Sequence, residues 1–184
     1  MRVNAIAFLM SCFLACDGRG PEQDAAGRAS PEAEPTPPIV TDSTEYSLRA
    51  DGPGWRTTIG FEYRAGADTV YVVNCNGAIL MNLQKREEGE WKDAWFAEGN
   101  ACLSPPLVVP PSGILRGRIE VWGAWPGDSS FNAFRVAEID GEYRLVWHQP
   151  VHDYRPDAAG FGAAIPLAER VSNVFRLKRV DTER

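Results

Sequence analysis

Apolar and polar side chains alternate along most of the chain after residue 38, which is typical of strands with one buried face. The clearest alternating runs lie at 46–48, 59–63, 69–75, 115–121 and 175–177. Turn residues separate such runs at 51–54, 65–68, 87–90 and 110–113. No window shows a convincing helical stripe, although 165–171 has room for a turn or two. The pattern predicts an all-β domain over 39–184.

A hairpin is predicted at Asp140-Gly141. Residues 134–139 and 143–147 are apolar-rich runs on either side of this dipeptide. Asp and Gly tolerate the positive φ angles of a type I′ turn, which joins neighbouring antiparallel strands. We therefore expect these two runs to pair with each other.

The fold class follows from the number and spacing of these runs. About seven or eight short strands in a single domain predict an antiparallel β-sandwich. The strand rhythm and size of 46–147 resemble the immunoglobulin-like domains of bacterial envelope proteins. That resemblance implies two packed sheets and a binding or structural role. The antibody spacing of Cys, Trp and Cys with a tyrosine corner is not present.

The amino-terminal segment has the plan of a secretory signal. Arg2 supplies a positive charge, residues 5–15 are apolar, and a polar segment begins directly after Cys16. The apolar run is far shorter than the roughly 20 residues that a membrane-spanning helix needs. We therefore expect 1–15 to be a signal peptide.

Residues 13–16, Phe-Leu-Ala-Cys, resemble the lipobox of bacterial lipoproteins. The resemblance implies diacylglycerol attachment at Cys16 and anchoring in the cell envelope, on the periplasmic side of the inner or outer membrane or at the cell surface. Phe13 departs from the leucine that the family usually has. Residues 9–12, Leu-Met-Ser-Cys, also fit, so Cys12 is an alternative with a shorter signal. A plain signal peptide without lipidation is the other alternative.

Residues 16–38 are predicted to be a disordered linker. Residues 17–38 are rich in Pro and Ala and contain no aromatic or branched aliphatic side chain, so they cannot bury enough surface to offset the entropy of ordering. As a flexible chain this linker would span about 25 Å, and about 70 Å when extended.

The charge balance limits the possible partners. The formal net charge is −6 and the isoelectric point is about 5.0, which argues against nucleic acid because phosphates require a basic surface. The expected partners are the membrane, through the lipid anchor, and an envelope protein or glycan.

Cys75 and Cys102 lie inside the predicted domain. In an oxidising envelope they are expected to form a disulfide, worth about 3–4 kcal/mol in the chain-entropy model; the alternative is two free buried thiols. Cys75 shares an alternation phase with Tyr71 and Val73, so its sulfur is expected to point inward. No CxxC spacing or Cys/His cluster indicates zinc.

His148 and His152 are the only histidines, and with Asp153 they are the one candidate metal-binding group. Pro150 lies between them at a strand end, so the helical H-x-x-x-H geometry is absent. Neither histidine has a recognisable Ser or Cys partner, and no G-x-S-x-G motif occurs. The sequence therefore predicts no catalytic residue, no metal site and no cofactor.

Six tryptophans are present, four of them paired as Trp91/Trp95 and Trp122/Trp125. Trp122 lies on the polar phase of its strand, and Trp125 follows in a loop. An exposed pair of indoles would stack on a sugar ring or a peptide. The alternative is that a loop or a neighbouring sheet covers both, since Trp is usually highly buried.

These features predict an envelope lipoprotein with a non-catalytic binding or structural domain. The first alternative is a carbohydrate- or peptide-binding module that uses Trp122 and Trp125. A protease-inhibitor-like sandwich, with 102–111 as its exposed loop, rests on analogy of fold alone. A metal-dependent enzyme around the two histidines ranks last.

Overall fold

The computed structural model describes residues 36–97, 104–128, 132–155 and 160–180. A compact unit spans Pro35–Arg184. In the described part of this unit the regular structure is strand, apart from one 3₁₀ turn at Leu167–Glu169, so the all-β prediction is confirmed. Among the described residues no helix has the length and hydropathy that a membrane crossing requires. The predicted signal peptide, Cys12, Cys16 and almost all of the linker lie outside the described residues.

Fourteen strand segments can be assigned in the described residues, and seven of them contain six or more residues. In chain order they are β1 (Ile39–Thr41), β2 (Glu45–Asp51), β3 (Gly54–Arg64), β4 (Val70–Val72), β5 (Asn74–Cys75), β6 (Ala78–Ile79), β7 (Met81–Glu87), β8 (Glu90–Trp95), β9 (Leu107–Val109), β10 (Ile114–Ala124), β11 (Gly141–Trp147), β12 (Tyr154–Arg155), β13 (Gly160–Phe161) and β14 (Phe175–Val180).

Eight of these strands form one mixed sheet. Along it β1 and β2 both pair with β3, and the order continues through β14, β11 and β7 to β8. β10 pairs with the opposite side of β3 over the full length of both strands. All neighbours in this sheet are antiparallel except β2 and β14, which are parallel. The immunoglobulin-like arrangement of the strands stays a prediction.

Two hairpins of the sheet have turn residues with positive φ angles. β7 and β8 are joined by Glu88 and Gly89, whose φ angles are 53° and 88°. Two successive positive φ angles are the signature of the type I′ turn, which matches the twist of the paired strands. β2 and β3 are joined at 52–53, with Gly52 at φ 57°. The turns predicted at 51–54 and 87–90 are confirmed.

The core lies on the inward face of the alternating strands. In β3 the odd-numbered side chains are buried and most even-numbered ones are half-exposed or exposed. The inward side chains form a single cluster, whose largest fully buried members are Trp147, Tyr143, Phe134 and Phe175. The alternation read from the sequence therefore reports the buried face correctly in the long strands.

The hairpin predicted at Asp140-Gly141 is wrong. β11 begins at Gly141, but residues 134–139 form no strand, and 135–137 are bends. Phe134, Val136 and Ile139 are nevertheless buried, so their apolar pattern reflects burial without strand pairing. The positions beside β11 are taken by β7 and β14 instead.

Cys75 shares the phase of Tyr71 and Val73 as predicted, but the prediction that this phase is the inward one is wrong. The buried residues of this segment are Val70, Val72 and Asn74, whereas Tyr71 and Cys75 are half-buried. Asn74 can be buried because its amide is paired: Nδ2 donates to the carbonyl oxygen of Pro105 at 2.6 Å, and Oδ1 accepts from the Gly77 N–H at 2.9 Å.

Candidate functional site

β10 carries a row of polar and aromatic side chains on its outer face. Arg116, Arg118, Glu120 and Trp122 share this face because side chains alternate along a strand. They are exposed or half-exposed, whereas Ile119 between them is buried. Successive members of the row are about 6.8 Å apart along the strand. The row therefore presents two positive charges, one negative charge and one indole in sequence.

The indole of Trp122 is held in place by the neighbouring hairpin. Its Nε1 donates to the carbonyl oxygen of Asp51 at 3.4 Å. Arg56 lies opposite Trp122 in the β3–β10 register, and its Nε bonds to the Asp51 carboxylate at 2.7 Å. The side chain of Trp122 remains half-exposed. An aromatic face is therefore presented to solvent in a defined orientation.

Trp125 lies in the loop after β10 and is 44% exposed. Its ring packs edge-on against Trp55, with the ring centroids 5.0 Å apart. Trp55 is buried on the inward phase of β3. No ring contact joins Trp122 to Trp125 among the described residues. The structure leaves both predicted platform residues accessible but gives them different neighbours.

A cleft of about 610 Å³ runs along the edge of β10 that does not pair with β3. Its rim is polar and includes Trp122; the other rim residues are Arg56, Arg118, Glu120 and Asn132. Its floor is apolar and consists of Ala78, Ile79, Leu80, Trp95, Ala97 and Ile119. The Trp95 Nε1 donates to the carbonyl oxygen of Trp122 at 2.8 Å, which joins the floor to the end of the rim. The volume is in the usual range for ligand sites.

Alternate backbone groups of β10 point into this cleft. In an antiparallel strand the N–H and C=O of one residue point to the same side, and successive residues alternate. At the start of β10 the Gly113 carbonyl oxygen accepts from the Ala65 N–H, so odd residues bond toward β3. At its end the Ala124 carbonyl oxygen accepts from the Phe134 N–H, so even residues bond away from β3.

The backbone groups of Arg118 and Glu120 are therefore on the side of the cleft. No backbone hydrogen bond in the described chain uses them. Their side chains also form no ion pair with another described residue. Arg116, by contrast, pairs with Glu62 at 2.7 Å, and this hydrogen bond lowers the pKa of Glu62.

Protein-family models, curated proteins and solved structures give no match to this chain. The candidate site therefore depends on the geometry of the cleft. Sequence reasoning identified Trp122 but missed Arg118 and Glu120. The signal that would have found them is their shared alternation phase with Trp122.

The other tryptophan pair is divided between the core and the surface. Trp95 is buried in the core. Trp91 is half-buried, and the Arg144 guanidinium carbon lies 4.5 Å from the centroid of its ring. This is a cation–π contact within the sheet.

The histidines predicted as the one candidate metal group lie in the loop after β11. The backbone N–H of His148 donates to the carbonyl oxygen of Leu80 at 3.1 Å. Nδ1 of His152 lies 3.1 Å from the carbonyl oxygen of Thr69. Desolvation lowers the pKa of His148, and the positive charge of Arg170 adds to this effect. Over the described ranges no group of three or more His, Cys, Asp or Glu residues is placed to hold a metal ion.

The loop suggested for a protease inhibitor is partly a strand. Residues 107–109 form β9, which pairs with β4. Val108 is 58% exposed. Residues 102–103, at the start of the suggested loop, lie outside the described residues.

Cys75 is disulfide-bonded. Its predicted partner, Cys102, lies outside the described residues, so the pairing stays a prediction. The chain just beyond Cys102 does run beside Cys75, because the Asn76 N–H donates to Oγ of Ser104 at 2.9 Å. This proximity favours the predicted pair.

Proposed function

We propose that this protein is a lipid-anchored envelope protein whose β domain binds a partner, without catalysing a reaction, through the cleft beside β10. The observation that carries the binding role is the oriented, half-exposed indole of Trp122 on the rim of that cleft. Aromatic side chains held rigidly at a site of this kind contribute much of the contact energy in protein recognition.

The anchoring part of the proposal comes from the sequence. Residues 13–16 resemble a lipobox, and a polar, Pro-rich segment follows directly. The compact unit begins at Pro35, near the predicted end of the linker. A lipid at Cys16 would hold the domain at the membrane, and the linker would set its reach.

The anchor is tested by expressing the full chain in a bacterium that processes lipoproteins and supplying an alkyne-tagged palmitate. We expect label on the wild type and on Cys12→Ala, and none on Cys16→Ala. Label lost only in Cys12→Ala would move the anchor to Cys12. A wild-type chain without label contradicts lipidation.

The binding surface is tested in the same cells with a photo-reactive benzoylphenylalanine at position 120. The matched control carries it at position 178, an exposed position on the outer face of β14. We expect a discrete cross-linked product at 120 that disappears when Trp122→Ala is added. The same products at both positions would contradict a specific surface at the cleft.

A further inference from the structure

We infer that the ligand of the cleft is an extended peptide that adds to β10 as a further strand, with apolar side chains on one face and two opposite charges on the other. This inference rests on the proposed binding function and names the class of ligand. Four observations carry it: the backbone edge that no described strand pairs with, the apolar floor, the charged rim and the spacing of Arg118 and Glu120.

The backbone of β10 provides the first contact. The N–H and C=O groups of Arg118 and Glu120 point into the cleft without a backbone partner in the described chain. A strand edge of this kind is a template for a further strand, because an extended peptide supplies matching donors and acceptors at the same repeat. A sugar ring has no such repeat.

The floor of the cleft selects for apolar side chains on one face of the peptide. Ile79, Trp95 and Ile119 line it. Because side chains alternate along an extended chain, every second side chain of an added strand would face this floor. The peptide is therefore expected to have apolar residues at alternate positions.

The rim selects for charge on the other face. Arg118 and Glu120 are two residues apart on β10, are exposed, and have no ion-pair partner among the described residues. Opposite charges placed directly across neighbouring strands are favourable. An acidic residue beside Arg118 and a basic residue two positions away, beside Glu120, would complement the rim.

The test uses two fluorescein-labelled peptides of about seven residues, which span roughly 23 Å when extended. One has the central sequence Val-Glu-Val-Lys-Val and the other Val-Lys-Val-Glu-Val. Binding to the full lipidated chain in detergent micelles is measured by fluorescence anisotropy. The direction of the added strand decides which peptide fits, so we expect the wild type to prefer one of them by about tenfold.

The decisive variant exchanges the two rim charges, Arg118→Glu with Glu120→Arg. It should reverse the preference, so that the peptide that binds weakly to the wild type binds tightly to the variant. Lys178→Glu, an exposed lysine on the outer face of β14, is the control and should leave the preference unchanged. Equal binding of both peptides, or an unchanged preference after the exchange, overturns the inference.

Backbone pairing is tested with N-methylated forms of the preferred peptide. Methyl groups on the alternate amides that face β10 should weaken binding by about tenfold or more, and methyl groups on the other amides should not. Equal effects of the two methylation patterns would show that side chains alone hold the peptide, which contradicts strand addition.

A chitotriose titration, followed by tryptophan fluorescence, separates failure of this inference from failure of the proposed function. If the sugar binds, Trp122→Ala abolishes that binding and neither peptide binds, the peptide inference is wrong and the binding function stands. If neither probe binds to a chain that carries the palmitate label, the inference is wrong and the cleft loses its proposed role, while the anchor remains.

Discussion

The ammonium group of Lys85 donates a hydrogen bond to the carbonyl oxygen of Glu138, although only 6% of Lys85 is exposed. Lys85 lies on the inward phase of β7, directly opposite Tyr143. The Tyr143 hydroxyl in turn donates to the carbonyl oxygen of Ile139 at 2.5 Å. Side chains from the sheet thus bind two consecutive carbonyl groups of the segment before β11.

Replacing this lysine tests how much the contact stabilises the fold. Lys85→Met keeps most of the aliphatic stem but leaves the Glu138 carbonyl without its donor and removes the ion pair with Glu87 at 3.4 Å. We expect the free energy of unfolding, measured with urea, to fall by about 1–3 kcal/mol. Lys178→Met, at an exposed lysine, should change it by less than about 0.5 kcal/mol. Equal effects of the two substitutions would show that the buried bond contributes nothing specific.

Asn173 gives a second test, because its amide joins β1 to the segment before β14. Its Oδ1 accepts from the Thr41 N–H at 2.8 Å, and its Nδ2 donates to the Thr41 Oγ1 at 2.9 Å. Asn173→Ala should lower the free energy of unfolding by about 1–3 kcal/mol and speed hydrogen exchange at the Thr41 amide. Val174→Ala, at the exposed neighbouring residue, is the control; unchanged exchange at Thr41 would contradict the role of the amide.

From the raised pKa values of three buried tyrosines we expect the free energy of unfolding to change at alkaline pH. Burial raises the pKa of Tyr46 to about 12, and its hydrogen bond to Asp42 adds to the effect. Burial also raises the pKa of Tyr63 and of Tyr143. Because folding favours the neutral phenol, this stabilisation is complete below about pH 10 and is lost as pH rises toward 12.

Phenolate absorbance provides the measurement. In urea all five tyrosines should ionise near pH 10, the value for an exposed tyrosine. In the native protein part of the signal should appear only at higher pH, and Tyr46→Phe should remove a portion of that late signal. A native titration that superimposes on the one in urea would contradict the burial of these hydroxyls.

Because Cys75 is disulfide-bonded, we expect the free energy of unfolding to depend on the redox state. If Cys102 is the partner, Cys102→Ser should lower the free energy of unfolding by about 3 kcal/mol under oxidising conditions. The difference should vanish in dithiothreitol. Alkylation without reduction, followed by mass spectrometry, should leave Cys75 unmodified in the wild type and modified in the variant. Modification of Cys75 in the wild type would contradict the bond.

The sequence predicted β2, β3, β10, β11 and β14 well, because alternation reports burial directly. Of β7 and β8 it predicted only the connecting turn at 87–90. The strand wrongly predicted at 134–139 has a physical explanation, since apolar residues can be buried without hydrogen-bonding to a neighbouring strand. There the carbonyl group of Glu138 is bound by the side chain of Lys85, which is distant in sequence. Asp140 makes no turn because Arg179 donates to its carboxylate from the backbone N–H at 2.7 Å and from the guanidinium. None of these contacts has a local signature.

The candidate site was predictable only in part. The phase of Trp122 could be read from its strand, and the same phase contains Arg118 and Glu120. The edge of β10 without a described strand beside it and the apolar floor could not be predicted, because they depend on which strands flank β10. That order is set by contacts between segments far apart in the chain.

The position of β14 has a consequence for the kinetics of folding. β14 is the last strand of the described chain, yet it lies in the interior of the main sheet, where Leu177 pairs with Tyr46 of β2 and with Gly141 of β11. The two halves of the sheet cannot join before residues 175–180 arrive, and such non-local pairing slows folding. A chain that emerges amino terminus first therefore cannot complete this sheet until residues 175–180 are released.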